Sequence, residues 1–217
     1  MYQIIDGKKI SQEIKDELKE KVAALKEQGK QICLAVIQVG SDPASSVYVG
    51  NKKKACAYIG IESLAYELPE ETTEQELLDL VQKLNADDRV NGILVQLPLP
   101  GQIDEGKVIQ TIAPEKDVDG FHEKNVGALC VGSKGYVSCT PLGIIQLLKR
   151  SGVEIAGKHC VVIGRSNIVG KPMAMLLLHE HGTVTICHSR TRDLSEVTRR
   201  ADILIVAIGK AKFVTAD

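Results

Sequence analysis

A tyrosine and a lysine lie four residues apart at the start of a predicted helix. In the stretch SDPASSVYVGNKKKACAYIGI, helical spacing over residues 44–59 places Tyr48 and Lys52 on one face. The preceding residues 40–43, Gly-Ser-Asp-Pro, end an apolar run and open that helix. A phenol and an amine presented together can exchange protons with a bound substrate, so the pair indicates acid–base chemistry.

Two further polar side chains also follow apolar runs. Gln96 stands within GILVQL (92–97), and Asp119 lies in a polar stretch beyond it. Four reactive groups at strand or loop ends favour an active site over a surface that carries unrelated polar side chains. Each group also has a structural interpretation: Tyr48 as a packed aromatic, Lys52 as a solvated lysine, Gln96 as a strand-end cap and Asp119 as a turn residue.

Composition excludes several classes of protein. The chain has 217 residues, 44% of them hydrophobic, and a formal net charge of -1, which is unlike a basic nucleic-acid binder. Aromatic residues make up 3%, so base-stacking platforms are not expected. Neither a membrane span nor a secretory signal is predicted. The six cysteines show no CxxC and no Cys/His cluster, and most lie inside apolar runs, so we expect reduced, buried thiols, no metal site and a cytoplasmic protein.

Helices and strands are predicted to alternate in the first part of the chain. Apolar residues recur at helical spacing from Ile10 to Leu25, and Gly29 can end that helix. Apolar runs of strand length follow at 32–39, 61–68 and 92–97, with helices expected between them. Thr72 or Thr73 can cap the second of those helices. Strands alternating with helices predict right-handed crossovers and a mostly parallel sheet.

Strands and helices are predicted to alternate again in the second part of the chain, after a stretch of different composition. Residues 114–141 are rich in glycine and polar residues and predict a cleft-forming connection or domain boundary. Pro141 can take the first position of a helix that ends at Ser151-Gly152. We therefore expect an α/β protein with two α/β domains flanking a cleft, residues 1–138 and 139–217. In the second domain, strands are predicted at 159–164, 183–187 and 202–208, and helices at 170–180 and 193–200.

A loop bounded by glycines joins the first strand and first helix of the second domain. In residues 164–170, GRSNIVG, Gly164 permits a tight turn and Gly170 a close approach of the backbone. A Rossmann fold binds a pyrophosphate at this position, on N–H groups at a helix N-terminus. The pattern is not GxGxxG, so an ordinary loop with two glycines is the alternative.

The residues after the next strand indicate which dinucleotide is bound. A site for NAD expects an acidic residue there, whereas this chain has His188-Ser189-Arg190 and no carboxylate before Asp193. Arg165 and Ser166 in the glycine-bounded loop can reach the same area. Arginine pairs strongly with phosphate, so we infer a 2′-phosphate and hence NADP. Asp193 is predicted to be a helix N-cap.

Seven stretches together resemble the family of bifunctional methylenetetrahydrofolate dehydrogenase/methenyltetrahydrofolate cyclohydrolases of the FolD type. They occur in the order of that family over nearly the whole chain. The matching stretches are PASSVYVGNKKKA (43–55), GILVQLPLP (92–100), PEKDVDGFH (114–122), CTPLG (139–143), GRSNIVGKPMAMLL (164–177), TVTICHS (183–189) and ADILIVAIGKAKFV (201–214).

The resemblance implies an activity. The family oxidises 5,10-methylenetetrahydrofolate with NADP and hydrolyses the methenyl product to 10-formyltetrahydrofolate, in one-carbon metabolism and purine biosynthesis. It implies that Lys52 is the principal catalytic group, with Tyr48 beside it, Gln96 as the partner of the lysine and Asp119 as the carboxylate that binds the pterin edge. Leu97, Pro98 and Leu99 would wall the substrate pocket.

The resemblance also implies a cofactor site and an assembly. A cytoplasmic homodimer formed through the nucleotide domain is expected, with neither nucleic acid nor membrane as a partner. The residues implied for NADP are Thr140, Gly164, Arg165, Ser166, Ile168, Val169, Gly170, His188, Ser189, Arg190, Ala207, Ile208 and Gly209.

Three features depart from the family pattern. Ser138 stands where the family usually has proline before Cys-Thr-Pro, and Ala211 replaces a later proline; both are expected to alter loop stiffness. The chain stops at Asp217, where the family continues with another strand, a glycine-rich segment and a final helix. We therefore expect a C-terminally truncated nucleotide domain, with lower stability and weaker catalysis than a full family member.

Two other functions are compatible with these residues. The first is a monofunctional NADP-dependent dehydrogenase acting on another small substrate, which would not hydrolyse the methenyl compound. The second is a folate- or nucleotide-binding protein that binds its ligand without turnover. His122 and His188 could act as bases, but the chemistry above requires neither.

Overall fold

Two compact units divide the chain, Met1–Asn125 and Val126–Asp217. The computed structural model describes residues 3–215, apart from the side chain of Ala44. Helices and strands alternate through both units. In chain order they are α1 (Gly7–Glu27), β1 (Cys33–Val39), α2 (Pro43–Ile59), β2 (Glu62–Leu68), α3 (Glu74–Ala86), β3 (Gly92–Val95), α4 (Glu105–Thr111), α5 (Glu123–Val131), α6 (Cys139–Arg150), β4 (His159–Ile163), α7 (Gly170–His179), β5 (Thr183–Cys187), α8 (Leu194–Arg199) and β6 (Ile203–Val206).

The sheet of the first unit is parallel, with the order β2-β1-β3. The central strand β1 is buried at six of its seven positions, which explains its unbroken apolar sequence. The first residue of β3 is Gly92, and glycine is needed there because a Cβ would lie 2.4 Å from Cγ1 of Val118. The expected strand 92–97 is therefore present but ends at Val95, and Gln96 follows it.

Helix α3 shows how the sequence fixes one wall of this core. Thr73 caps it: the Thr73 hydroxyl accepts from the Glu76 backbone N–H, and the Glu76 carboxylate accepts from Thr73. Leu77, Val81 and Leu84 form its fully buried stripe and pack in one cluster with β1. This confirms Thr73, of the two threonines considered, as the cap.

The sheet of the second unit is also parallel, with the order β5-β4-β6. Its centre is the buried β4, and α6 and α7 cover one face through Ile145, Met173 and Leu177. Strand β6 alternates between buried and exposed residues, with Leu204 and Val206 exposed. The two-unit α/β architecture with parallel sheets agrees with the sequence-based expectation.

Both sheets place their first strand in the centre. In each unit the chain crosses to one flank for the second strand and to the other flank for the third. Such a reversal opens a crevice at the carboxyl ends of the two strands beside it, where ligands bind in open α/β sheets. The crevices lie between β1 and β3 and between β4 and β6.

Several local expectations were wrong. The division between the two units falls within residues 114–141, but this segment also contains α5, which was not anticipated, and neither was α4. Pro141 is the third residue of α6 because the helix already begins at Cys139. Helix α7, by contrast, begins at Gly170 as predicted, and Pro172 lies within its first turn.

Two further corrections concern single side chains. Asp193 does occupy the N-cap position of α8, but its side chain makes no capping bond and its φ is 49°. Cys130 and Cys139 are exposed, whereas Cys33, Cys56, Cys160 and Cys187 are buried as expected. Among residues 3–215, no helix has the length and apolar character needed to cross a membrane.

Candidate active site and dinucleotide loop

Helix α2 presents the tyrosine and the lysine as the spacing predicts. The Asp42 carboxylate accepts from the Ser45 N–H at 2.8 Å, and Pro43 takes the first helical position. Lys52 lies one helical turn after Tyr48, and its ammonium is 4.3 Å from the centre of the Tyr48 ring. A cation over an aromatic face is held by the ring quadrupole, so this contact orients the lysine.

A buried glutamine ties the start of α2 to the end of β1. Gln38 is 6% exposed, and its amide donates to the Ser46 hydroxyl at 3.0 Å and to the Gly40 carbonyl at 3.2 Å. These bonds fix the turn between β1 and α2. Sequence reasoning missed Gln38; the signal available was a polar residue inside an otherwise apolar strand.

Gln96 lies at the end of β3, beside the end of β1. Its backbone N–H donates to the Ile37 carbonyl at 2.8 Å, and its side-chain amide donates to the Leu97 carbonyl at 2.7 Å. Its Oε1 atom is buried and has no hydrogen-bond partner within residues 3–215. An unpaired buried acceptor is costly, so this oxygen indicates a place for a donor from a ligand or a moving side chain.

The segment after Gln96 follows the end of β3. The Leu97–Pro98 peptide bond is cis, and the Leu99 N–H donates to the Glu105 carboxylate at 3.1 Å. Leu97 and Leu99 are half-buried and Pro98 is exposed. All three residues follow the end of β3, where the β1–β3 crevice opens.

Asp119 is the titratable group with the most informative environment. Desolvation raises the pKa of its carboxyl to about 6; the Lys52 charge acts to lower it and Asp117 acts to raise it. The influence of Lys52 places this carboxyl near the α2 pair, although the two segments are far apart in sequence. A shifted pKa in such a group is typical of functional sites.

Asp117 holds the loop that carries Asp119. It is 2% exposed, and its Oδ2 accepts from the His122 backbone N–H and from the Asn125 side-chain amide, both at 2.9 Å. Its own carbonyl accepts from the Gly120 N–H at 3.2 Å, which closes the turn around Asp119. Sequence reasoning missed this residue, although its position two before Asp119 marked it.

Lys116 anchors the same loop from behind. Its ammonium donates to the backbone carbonyls of Leu84, Asn85 and Asp87 at 3.1, 2.8 and 2.8 Å. All three lie at the C-terminal end of α3, where carbonyls lack helical partners. The Asp119 loop is therefore fixed to the rigid helix that packs on the sheet.

His122 takes part in this framework through its backbone. Its Nδ1 accepts from the Lys124 N–H at 3.1 Å, and its N–H binds Asp117. These contacts give it a structural position beside the loop. Among the described residues, no group of three or more His, Cys, Asp or Glu side chains is arranged to hold a metal ion.

A cavity of about 640 Å³ lies elsewhere in the first unit. It opens between α2 and the end of β2, and Tyr48, Lys52, Gln96 and Asp119 do not line it. The Lys53–Glu67 pair, 2.7 Å apart, lies in its wall. Because the reactive groups described above lie outside it, we do not assign this cavity to the active site.

In the second unit, both loop glycines are required by the backbone. A Cβ on Gly164, whose φ is 128°, would lie 2.4 Å from the Ala207 carbonyl oxygen. A Cβ on Gly170 would lie 2.3 Å from the Gly164 carbonyl oxygen. The loop therefore folds tightly against the end of β6, at the crevice between β4 and β6.

The loop also gathers backbone donors at the start of α7. The Ser166 hydroxyl accepts from the N–H groups of Val169 and Gly170 at 3.1 and 3.2 Å. Ile168 is 41% exposed beside them. These bonds close the loop at its junction with α7, and a tight loop at a helix N-terminus fits the pyrophosphate of a dinucleotide.

The residues after β5 form a compact turn. The His188 N–H donates to the Thr191 hydroxyl at 2.8 Å, and His188 Nδ1 accepts from the Arg190 N–H at 3.2 Å. Ser189, Arg190 and Arg165 are exposed. This turn leaves the arginine side chains accessible to a phosphate.

The remaining predicted cofactor residues lie at two places. Thr140 is exposed in the first turn of α6. Ala207 extends the pairing of β6, since its N–H donates to the Ile163 carbonyl at 2.7 Å, and Ile208 and Gly209 follow it. The last three thus lie at the carboxyl end of β6, beside the glycine-bounded loop.

Family models cover most of the chain. Residues 5–119 match the model described as tetrahydrofolate dehydrogenase/cyclohydrolase, catalytic domain. Residues 138–217 match the NAD(P)-binding domain of the same description. The chain is 71% identical over 217 residues to the bifunctional protein FolD of Lachnoclostridium phytofermentans and 67% identical to that of Agathobacter rectalis, spanning 77% and 78% of those proteins.

Solved structures show the same architecture. The bifunctional FolD enzyme of Campylobacter jejuni superposes with a TM-score of 0.95 at 52% identity, over 98% of this chain and 76% of that one. The Trypanosoma brucei methylenetetrahydrofolate dehydrogenase-cyclohydrolase, solved with NADP and an inhibitor, has a TM-score of 0.91 at 39% identity, over 96% of this chain and 72% of that one.

Proposed function

The chain belongs to the tetrahydrofolate dehydrogenase/cyclohydrolase family, and we infer that it oxidises 5,10-methylenetetrahydrofolate with NADP and hydrolyses the methenyl product to 10-formyltetrahydrofolate. The observation that carries the catalytic assignment is the contact of Lys52 with Tyr48 together with the influence of the Lys52 charge on the half-buried Asp119. Gln96 adds an unpaired buried acceptor at the same strand ends.

Lys52 is proposed to move protons in the hydrolysis. Water that attacks the methenyl carbon must lose a proton, and an amine held at a fixed point can accept or relay it. Its contact with the Tyr48 ring supports this assignment, because the ring limits the positions that the flexible lysine side chain can take. Tyr48 is thus proposed to position Lys52 and to contact the substrate.

Gln96 and Asp119 are proposed to hold the substrate and the lysine. The free Gln96 oxygen can accept from an amine or a ring N–H without adding charge. A carboxylate has two acceptor oxygens and matches adjacent N–H donors of a pterin. With a pKa of about 6, Asp119 is mostly ionised at pH 7 and can accept both bonds. Leu97, Pro98 and Leu99 are proposed to contact the same substrate.

The glycine-bounded loop is proposed to bind NADP. When bound, NADP takes a hydride from the methylene carbon of the substrate. The loop at the N-terminus of α7 would bind its pyrophosphate, and Arg165, Ser189 and Arg190 its 2′-phosphate. Thr140, Ile168, His188 and the segment 207–209 are proposed to contact the rest of the cofactor.

The two activities can be tested in one cuvette by following the absorbance of the methenyl chromophore. Purified chain mixed with methylenetetrahydrofolate and NADP should give a signal that rises and then decays. A rise without decay would indicate a monofunctional dehydrogenase. Binding of the ligands without any signal would indicate a binding protein.

Substitution of Lys52 tests the catalytic assignment. We expect Lys52→Met to abolish decay of the chromophore while the circular dichroism spectrum and melting temperature stay those of the parent. Lys53→Met is the matched control, since Lys53 is the next residue, pairs with Glu67 and should leave hydrolysis unchanged. Normal hydrolysis in Lys52→Met would remove Lys52 from the mechanism.

We further propose that the chain works as a cytoplasmic homodimer associated through the Val126–Asp217 unit. The family resemblance supports the homodimer, and the family's soluble substrates support the cytoplasmic location. Light scattering after gel filtration tests it. A mass equal to one chain over the working concentration range would contradict it.

A further inference from the structure

Ser138 makes an unexpected hydrogen bond. It occupies the N-cap position of α6, with φ −50° and ψ 129°, where a serine normally caps its own helix, yet it makes no such bond. Its hydroxyl instead donates to the backbone carbonyl of Ile168 at 2.6 Å. The residue is 4% exposed, so this bond is shielded from water.

Ile168 lies in the middle of the glycine-bounded loop. The two ends of that loop are fixed by close packing, Gly164 against Ala207 and Gly170 against Gly164. The bonds that Ser166 accepts from Val169 and Gly170 are internal to the loop. The Ser138 bond differs because it comes from α6 and fixes the middle of the loop to a separate element.

We propose that Ser138 is a positioning residue for the cofactor, holding the Ile168 carbonyl so that the loop is preformed for NADP. This rests on the proposed assignment of NADP to residues 164–170. The bond joins two groups of the protein itself, so its effect on affinity is through preorganisation of the loop. If the loop without it adopts the binding geometry only a fifth of the time, the apparent dissociation constant for NADP rises fivefold.

A structural role alone would give a different result. A hydroxyl that only stabilised the fold would, when removed, lower the melting temperature and reduce both activities together. A positioning role raises the dissociation constant and KM for NADP and leaves kcat at saturating NADP unchanged. It also leaves hydrolysis of added methenyltetrahydrofolate unchanged, because that step transfers no hydride.

The experiment measures NADP binding by titration calorimetry, and both activities, on the full chain. Ser138→Ala removes the donor, and Ser138→Cys keeps the size but substitutes a weak donor. We expect about fivefold weaker NADP binding in the alanine variant, equivalent to about 1 kcal/mol, and a smaller loss in the cysteine variant. Ser133→Ala is the matched control: Ser133 is exposed and its hydroxyl lies 3.5 Å from the Ala128 carbonyl.

Arg165→Gln separates the possible failures. If Arg165→Gln weakens NADP binding and both Ser138 variants bind like the parent, the inference about Ser138 is wrong and the cofactor site stands. If none of the three weakens binding, the assignment of NADP to this loop is wrong and the inference falls with it. Loss of hydrolysis parallel to the loss of NADP binding would assign Ser138 a structural role and overturn the proposal. Should Ser138→Ala fail to fold, Ser138→Cys decides alone.

Discussion

Replacement of Asp119 by asparagine is expected to stabilise the first unit while it impairs catalysis. Burial raises the pKa of the Asp119 carboxyl from 3.8 to about 6. A shift of about 2 units corresponds to roughly 3 kcal/mol, the cost of keeping the ionised group folded at neutral pH. Asparagine keeps the shape and carries no charge, so Asp119→Asn should recover about 2 to 3 kcal/mol of unfolding free energy at pH 7.

The sign of the effect can be checked by changing pH. Since the folded pKa of Asp119 is the higher one, its favourable contribution is complete below about pH 4 and is lost as pH rises through about 6. The advantage of Asp119→Asn should therefore shrink below about 1 kcal/mol at pH 4. Urea unfolding of the variant and the parent at pH 7 and at pH 4 measures this difference in unfolding free energy. Tyrosine fluorescence is a suitable probe because the chain has no Trp, and Tyr48, Tyr58 and Tyr66 lie in the first unit.

Two results would refute this reasoning. One is an Asp119→Asn chain that is no more stable than the parent at pH 7; the other is a gain that is equal at pH 7 and pH 4. Asp88→Asn is the control, because Asp88 is exposed and its replacement should change stability by less than about 0.5 kcal/mol. In parallel, kcat/KM for methylenetetrahydrofolate should fall in Asp119→Asn, since the amide offers one acceptor oxygen in place of two.

Three further substitutions test the supports of the two sites. Arg165→Gln should weaken NADP about tenfold more than NAD in paired binding titrations, because a charge-assisted bond to phosphate contributes about 1.5 to 3 kcal/mol; equal losses would rule out the 2′-phosphate contact. Gly170→Ala places a methyl group 2.3 Å from the Gly164 carbonyl oxygen, so it should lower the melting temperature and abolish NADP binding, and a parental melting curve would contradict that packing. Asp117→Asn removes a charge that raises the pKa of Asp119, so the acidic limb of kcat/KM should move to lower pH, and a move to higher pH would disprove the coupling.

Hydrophobic patterning was sufficient to locate the elements around the sites. The continuous apolar run of β1 and the buried stripe of α3 were predictable because burial on both faces, or on one helical face, leaves a direct trace in sequence. Helices α4 and α5 were missed for the opposite reason. Both are short, and α5 contains Gly127 in its middle, so neither carries a strong periodic signal.

The reactive residues were easier to predict than their supports. Tyr48 and Lys52 follow from helical spacing alone, and the structure places them in contact. Gln38 and Asp117 each left a weak signal in the sequence, but their roles come from partners that only the folded chain brings together. Ser138 was noticed as a departure from the family pattern, but its bond to Ile168 joins residues that sequence spacing does not connect.

The Lys116 anchor has a consequence for how the sequence can drift. Its three donors bind main-chain carbonyls of Leu84, Asn85 and Asp87, and every residue type supplies an identical carbonyl. The side chain of Asp87 is therefore not constrained by this attachment, provided that α3 still ends there, whereas Leu84 is constrained by its packing in the core. Lys116 has no such freedom, because no other side chain combines its length with three donors on one atom. Selection on this attachment therefore acts on the loop residue, and the side chains at the end of α3 are constrained only by their other contacts.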